Sequence, residues 1–142
     1  MEREIFHNEE LAGKAKSLKE EVKKAIETIG ITFTEEFGTV YAYETDGFGM
    51  YNLMDDANIP SLLAMSYLGY EGDWEVSANT RRFLLSEANP FYFKGCKAAG
   101  IGSPHTPSNY IWHIAMAVQG LTSTSKEAGL HRRINLLHQN LF

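Results

Sequence analysis

Between Asn8 and Gly30 the apolar residues Leu11, Ala15, Leu18, Val22, Ala25, Ile26 and Ile29 recur at spacings of three and four, and no other feature restricts the folding of this chain as firmly. Residues three and four apart share one side of a helix, so this spacing predicts a single apolar face. Asn8 carries a side-chain oxygen suited to capping the first turn, and Gly30 supplies a stop. The lysines between Lys14 and Lys24 are interspersed with glutamates, the pattern of a solvated helix face.

From Ile31 the period changes. Val40-Tyr41-Ala42-Tyr43-Glu44 and Phe48-Gly49-Met50-Tyr51 flank Asp46-Gly47, a dipeptide suited to a tight turn, so a small β-hairpin is expected within residues 38–53. Residues 60 to 69 read as a second helix, with Pro60 at its first position and Gly69 at its end. Residues 75 to 86 read as a third, carrying Val76, Phe83, Leu84 and Leu85 and closed by Asn89-Pro90. Phe91 to Gly95 suggests a short extended piece before the loop through Gly100 and Gly102, and a helix is expected from about Asn109 to Leu121. Ser123 or Ser125 then opens a last helix with Leu130, Ile134, Leu137 and Leu141 on its apolar stripe. The expected fold class is mainly α, helices packed in layers with one inserted hairpin, because no βα alternation signals a parallel sheet.

A chain of 142 residues fits one domain. Its 44% hydrophobic and 22% charged composition is that of an ordinary globular protein. A net charge of -5 with scattered Lys and Arg argues against nucleic acid as a partner, and no apolar run is long enough to cross a bilayer. Cys96 is the only cysteine, which excludes an internal disulfide and a multi-thiolate metal site. No apolar segment of a secretory signal follows Met1-Glu2-Arg3-Glu4, so a cytoplasmic location is the expectation.

Two polar loops carry the candidate chemistry. Met54-Asp55-Asp56-Ala57-Asn58 runs into Ile59-Pro60-Ser61-Leu62-Leu63, and Gly102-Ser103-Pro104-His105-Thr106 precedes a second apolar stretch. Asp and Asn before a helix are most often caps, yet adjacent side chains diverge, so one acid can cap while its neighbour faces a cleft. Asp46, Asp55 and Asp56, with Glu35, Glu36 and Glu44 near the hairpin, are candidate acids, and His105 a candidate hydrogen-bond donor. Carboxylates suffice for glycosidic-bond hydrolysis: one protonates the leaving oxygen while the other activates water or attacks the sugar. No metal-ligand spacing such as H-E-x-x-H is present, and the residues around Ser103 do not form G-x-S-x-G.

Four motifs in order, Tyr41-Ala42-Tyr43-Glu44-Thr45-Asp46-Gly47-Phe48-Gly49, Met54 through Leu63, Asn79-Thr80-Arg81-Arg82-Phe83 and Gly100 through Thr106, are similar to those of glycoside hydrolase family 125. Tyr110-Ile111-Trp112 and Leu121-Thr122-Ser123 extend the resemblance over nearly the whole chain from Ile5. The resemblance implies an inverting, metal-independent exo-α-1,6-mannosidase without cofactor, acting on mannose-containing oligosaccharides of N-glycan or mannan type, and built on an (α/α)6 barrel, a toroid of six helical hairpins. It implies a substrate-binding set of Asp55, Asp56, Asn58, Ser103 and His105, with Arg81, equally readable as a structural ion-pair partner, and Trp112 as weaker candidates. It gives no catalytic residue, because the family's acid and base motifs lie outside the matched part. The chain is accordingly expected to be one partial domain over residues 1–142, inactive alone. It is expected to expose an apolar surface through which it self-associates or pairs with a complementary fragment. The alternative reading is a non-catalytic helical domain or remnant that binds carbohydrate or protein.

Overall fold

The computed structural model of the chain describes residues 4–123. Helix α1 spans Glu9–Ile29, and Asn8 caps it by accepting from Leu11 N at 2.9 Å. Gly30 closes it, donating its N–H to the carbonyls of Ala25 and Ile26, where a Cβ would lie 2.8 Å from Ile26 O. Strands β1 (Ile31–Thr34) and β2 (Gly38–Tyr41) form an antiparallel hairpin that pairs Ile31 with Tyr41 and Thr34 with Gly38. Strands β3 (Glu44–Thr45) and β4 (Tyr51–Asn52) form a second, shorter one around Asp46-Gly47. There the Asp46 carboxylate accepts from Phe48 N at 2.8 Å and Met50 N at 3.0 Å, and these bonds hold its pKa below the usual range.

Helix α2 (Trp74–Leu84) is capped by Asp73, which accepts from Glu75 N and Val76 N. Strands β5 (Tyr92–Lys94) and β6 (Ala99–Ile101) make a third antiparallel pair, and helix α3 spans His113–Leu121. β2 packs on α2: Tyr41 N donates to the buried Thr80 Oγ1 at 2.8 Å, and the Phe37 and Phe83 rings meet edge-on at 5.6 Å. The core gathers Val40 from β2, Leu63 and Ala64 from the following turns, Leu84 from α2, Ile101 from β6 and Val118 from α3. Each larger side chain buried there contributes roughly 1.5–3 kcal/mol.

The described residues are not mainly α, which corrects the expected class of a part (α/α)6 toroid with one inserted hairpin. They hold three helices and three two-stranded antiparallel sheets. The largest departure lies at residues 60–69, where no α-helix forms. Hydrogen bonds there run Ala64 N to Ser61 O, Leu68 N to Ala64 O and Tyr70 N to Met65 O, so spans of three, four and five residues alternate and no regular ladder propagates. The Ile59-Pro60 peptide that leads into these turns is cis. A second departure is the β1–β2 hairpin, which takes Val40 and Tyr41 away from the expected hairpin about Asp46-Gly47.

Helix α3 begins at His113 rather than near Asn109, because the chain before it runs beside β6. Trp112 N donates to Ile101 O at 3.1 Å, and Asn109 takes φ 71. Gly102 makes this approach possible, since a Cβ there would collide with Tyr110 O and lie 2.6 Å from the Phe93 ring. The last expected helix, with Leu130, Ile134, Leu137 and Leu141, lies outside the described residues. No described helix is long and apolar enough to cross a membrane.

Candidate functional site

The two polar loops, more than forty residues apart in sequence, meet in the structure. Ala57 N donates to Gly102 O at 2.9 Å, and Asn58 Nδ2 lies 3.5 Å from Ser103 Oγ. Gly102 N in turn donates to Phe91 O at 2.8 Å, which ties the junction to the residue just before β5. The side chains around it are held closely. Asp56 Oδ1 accepts from Asn58 N at 2.7 Å and Oδ2 from Asn58 Nδ2 at 3.0 Å, a local turn that fixes both residues. Ser103 is buried, and its Oγ accepts from His105 N at 3.2 Å. Thr106 Oγ1 donates to Ser103 O and accepts from Trp112 Nε1 at 3.0 Å, so Trp112 braces the second loop.

Asp55 plays a different part from its neighbour. It is wholly buried, and its two oxygens accept from Leu62 N at 3.1 Å and Leu63 N at 2.9 Å. The carboxyl thus caps the turn region after Pro60 although no α-helix follows. Burial pushes its pKa up to about 7, against the lowering effect of the two N–H bonds, and the adjacent Asp56 charge adds to the rise. Its own N–H donates to Asn89 Oδ1 at 3.3 Å.

Sequence reasoning read Asn89 only as the end of a helix. In the structure it is buried, its Oδ1 accepts from Asp55 N and Phe91 N, and its Nδ2 donates to Leu84 O at 3.1 Å. One amide therefore links α2, the Asp55 loop and the approach to β5. An Asn ahead of Pro carries no signal that separates such a linker from an ordinary stop.

Of the expected binding residues, Asp56, Asn58, Ser103 and His105 come together at the junction, with the His105 residue exposed. Arg81 is placed between helices: its guanidinium donates to Thr122 Oγ1 and to Gln119 O, both at 2.9 Å, bridging α2 to the end of α3. The candidate acids near the hairpin are dispersed. Asp46 holds the β3–β4 turn, and the exposed Glu44 accepts from Asn52 Nδ2 at 3.2 Å.

Tyr43, not singled out from sequence as a site residue, lies near enough to Asp56 and Asp55 for their charges, after burial, to raise its pKa. It lines an open groove of about 560 Å³ with Tyr41, Glu44, Pro60, Leu62 and Tyr70. Tyr70 OH donates to Glu27 Oε1 at 2.7 Å, and the Tyr41 and Tyr70 rings stand edge-on at 6.1 Å. Burial, followed by the bond to Glu27, raises the Tyr70 pKa, so the phenol stays protonated and donating. Among the described residues no group of three or more His, Cys, Asp or Glu is arranged to hold a metal ion.

Comparison with known proteins agrees with the motif order. The chain is similar to a solved metal-independent alpha mannosidase from Streptococcus pneumoniae, captured in a non-productive substrate complex with alpha-1,6-mannobiose. The TM-score is 0.81 at 41% identity, over 89% of this chain and 30% of that one. It is also 49% identical over 104 residues to the meiotically up-regulated gene 157 protein of Schizosaccharomyces pombe, across 72% of this chain and 20% of that protein. The chain thus spans less than a third of the length of either relative. The family model for metal-independent alpha-mannosidase (GH125) matches residues 1–140, and the chain belongs to that family of glycoside hydrolases.

Proposed function

We propose that this chain supplies part of the mannose-binding wall of an inverting exo-α-1,6-mannosidase acting on mannosides of N-glycan or mannan type. Asp56, Asn58, Ser103 and His105 hydrogen-bond mannose hydroxyls, while Asp55 holds the turns that follow the first loop and Arg81 braces α2 against the end of α3. The observation that carries this reading is the junction of the two loops through Ala57 N and Gly102 O, which gathers carboxylate, amide, hydroxyl and imidazole groups in one place. A fixed array of donors and acceptors suits a sugar, whose hydroxyls act as both. The mannobiose bound by the Streptococcus pneumoniae relative supports the same ligand class.

The proton-transferring pair lies outside this chain. Inversion needs an acid on the leaving oxygen and a base on the opposite face of the sugar, roughly 6.5–9.5 Å apart. Asp55 is buried and engaged by two backbone N–H groups, so it serves its loop, while Asn58 orients Asp56 and leaves each of its oxygens a further lone pair for a sugar hydroxyl.

NMR titration with α-1,6-mannobiose tests the binding reading. Resonances of Asn58, Ser103 and His105 are expected to shift, and Asp56→Asn is expected to weaken binding at least about tenfold, the loss of one charge-assisted hydrogen bond. A stability loss of about 1 kcal/mol with unchanged ligand response would reduce Asp56 to a cap. Turnover of mannobiose by the chain alone would overturn the assignment of the acid and base to other segments.

A further inference from the structure

The backbone of Asp56 is pinned on both sides. The preceding Asp55 N donates to Asn89 Oδ1 at 3.3 Å, and the following Ala57 N donates to Gly102 O at 2.9 Å. These two bonds belong to one closed circuit. Gly102 N donates to Phe91 O at 2.8 Å, and Phe91 N returns to the same Asn89 Oδ1 at 3.2 Å. The ring therefore runs through residues 55–57, 89–91 and 102, and a single side-chain oxygen is the point at which the backbones of both loops converge. Asn58 and Ser103 are the next residues along the two loops, each one step beyond a ring member.

An amide suits this corner. Its carbonyl oxygen has two lone pairs, one for each N–H, and its nitrogen donates to Leu84 O at 3.1 Å, which fixes the amide's orientation from the end of α2. The backbone of Asn89 is held as well, since its N–H donates to Ser86 O at 3.2 Å and its carbonyl accepts from Tyr92 N at 3.0 Å. Asn89 is 1% exposed, so it acts on a ligand only through the loops. Without its oxygen Asp55 N loses its acceptor inside a wholly buried residue, a cost the loop can relieve only by moving. A shift on the order of 1 Å is enough to misalign directional hydrogen bonds to a sugar. We propose that Asn89 is a positioning residue for the mannose-binding wall: its side-chain oxygen sets loop 54–58 in register with loop 102–106 and so places Asp56, Asn58 and Ser103. The ligand in this inference rests on the mannose-binding reading, and the register rests on hydrogen-bond geometry alone.

The test follows backbone amide resonances and α-1,6-mannobiose titrations by NMR in the full chain carrying Asn89→Ala. Val40→Ala serves as a control, because it opens a cavity in the core without removing any bond of the ring. Asn89→Ala is expected to shift the amides of Ala57, Gly102 and Ser103 and to weaken mannobiose binding at least about tenfold. Val40→Ala is expected to lower the unfolding midpoint while those amides and the affinity stay in place. Asn89→Asp keeps the oxygen acceptor, and at pH 5, where Asp55 holds its proton, it is expected to bind within about threefold of the unsubstituted chain. Unmoved Ala57 and Gly102 amides in a folded Asn89→Ala chain would overturn the proposal, and so would shifted amides with the affinity retained. An equal loss of affinity in Val40→Ala would reduce Asn89 to a general stabiliser. Should Asn89→Ala fail to fold, Asn89→Asp decides: retained affinity supports the proposal and a loss of about tenfold overturns it. If the unsubstituted chain gives no response to mannobiose, the ligand reading falls, and the Ala57 and Gly102 amides alone judge the register.

Discussion

The junction of the two loops and helix α1 are opposite answers to the question of where side chains go. At the junction Asp55, Asn89 and Ser103 are each at most 1% exposed, and polar groups buried there are matched to backbone partners. Along α1 the apolar residues Leu11, Leu18, Val22 and Ile29 stay in water. Hydrophobicity alone would have placed them the other way round. The difference teaches that a buried polar group is stable where its hydrogen bonds are complete, whereas an apolar face stays exposed when the elements around it offer no complementary surface.

The contrast can be broken first by pH. The Asp55 pKa stands at about 7 in the folded chain against an ordinary 3.8, so the folded state holds the proton more tightly over that interval. Stability from this group is complete below about pH 4, is lost as pH rises to about 7, and is flat above, a fall on the order of 4 kcal/mol. Urea midpoints at pH 4.5 and 7.5 should show the drop, and Asp55→Asn should flatten it. An unchanged profile would mean that the carboxylate is better solvated than its burial indicates.

Asn89→Ala comes next. It strips partners from Asp55 N, Phe91 N and Leu84 O, and a loss of about 3 kcal/mol in chemical denaturation is expected from three groups left unpaired. Asp73→Ala removes an exposed cap from α2 and should cost about 1 kcal/mol by the same measurement. Leu18→Ala on α1 should change stability by no more than about 0.5 kcal/mol, because the side chain is already in water. A loss of 2 kcal/mol there would place α1 in the core and end the comparison.

Legibility in the sequence followed the range of the interactions. The ends of α1 could be read because Asn8 and Gly30 act on their own helix, and α2 was legible near its observed bounds from Val76, Phe83 and Leu84. The tight turn at Asp46-Gly47 was equally local. Residues 60–69 misled because Pro60, the leucines and Gly69 satisfy helix rules one by one. Yet Asp55 takes two of the N–H groups and the remaining bonds alternate in span. The gathering of Asp56, Asn58, Ser103 and His105 was expected only through family resemblance, and no residue spacing expressed the roles of Asn89 or Tyr43.

By itself the sequence determined the first and third helical segments, the Asp46-Gly47 turn, the two polar loops and, through ordered motifs, the family. All of these depend on residues close together in the chain or on motif identity. Only the tertiary structure decided that the class is not mainly α and that the α1 stripe stays exposed. It alone made Asp55 a backbone cap and joined Ala57 to Gly102, because burial and hydrogen-bond completion depend on segments that become neighbours only when the chain folds.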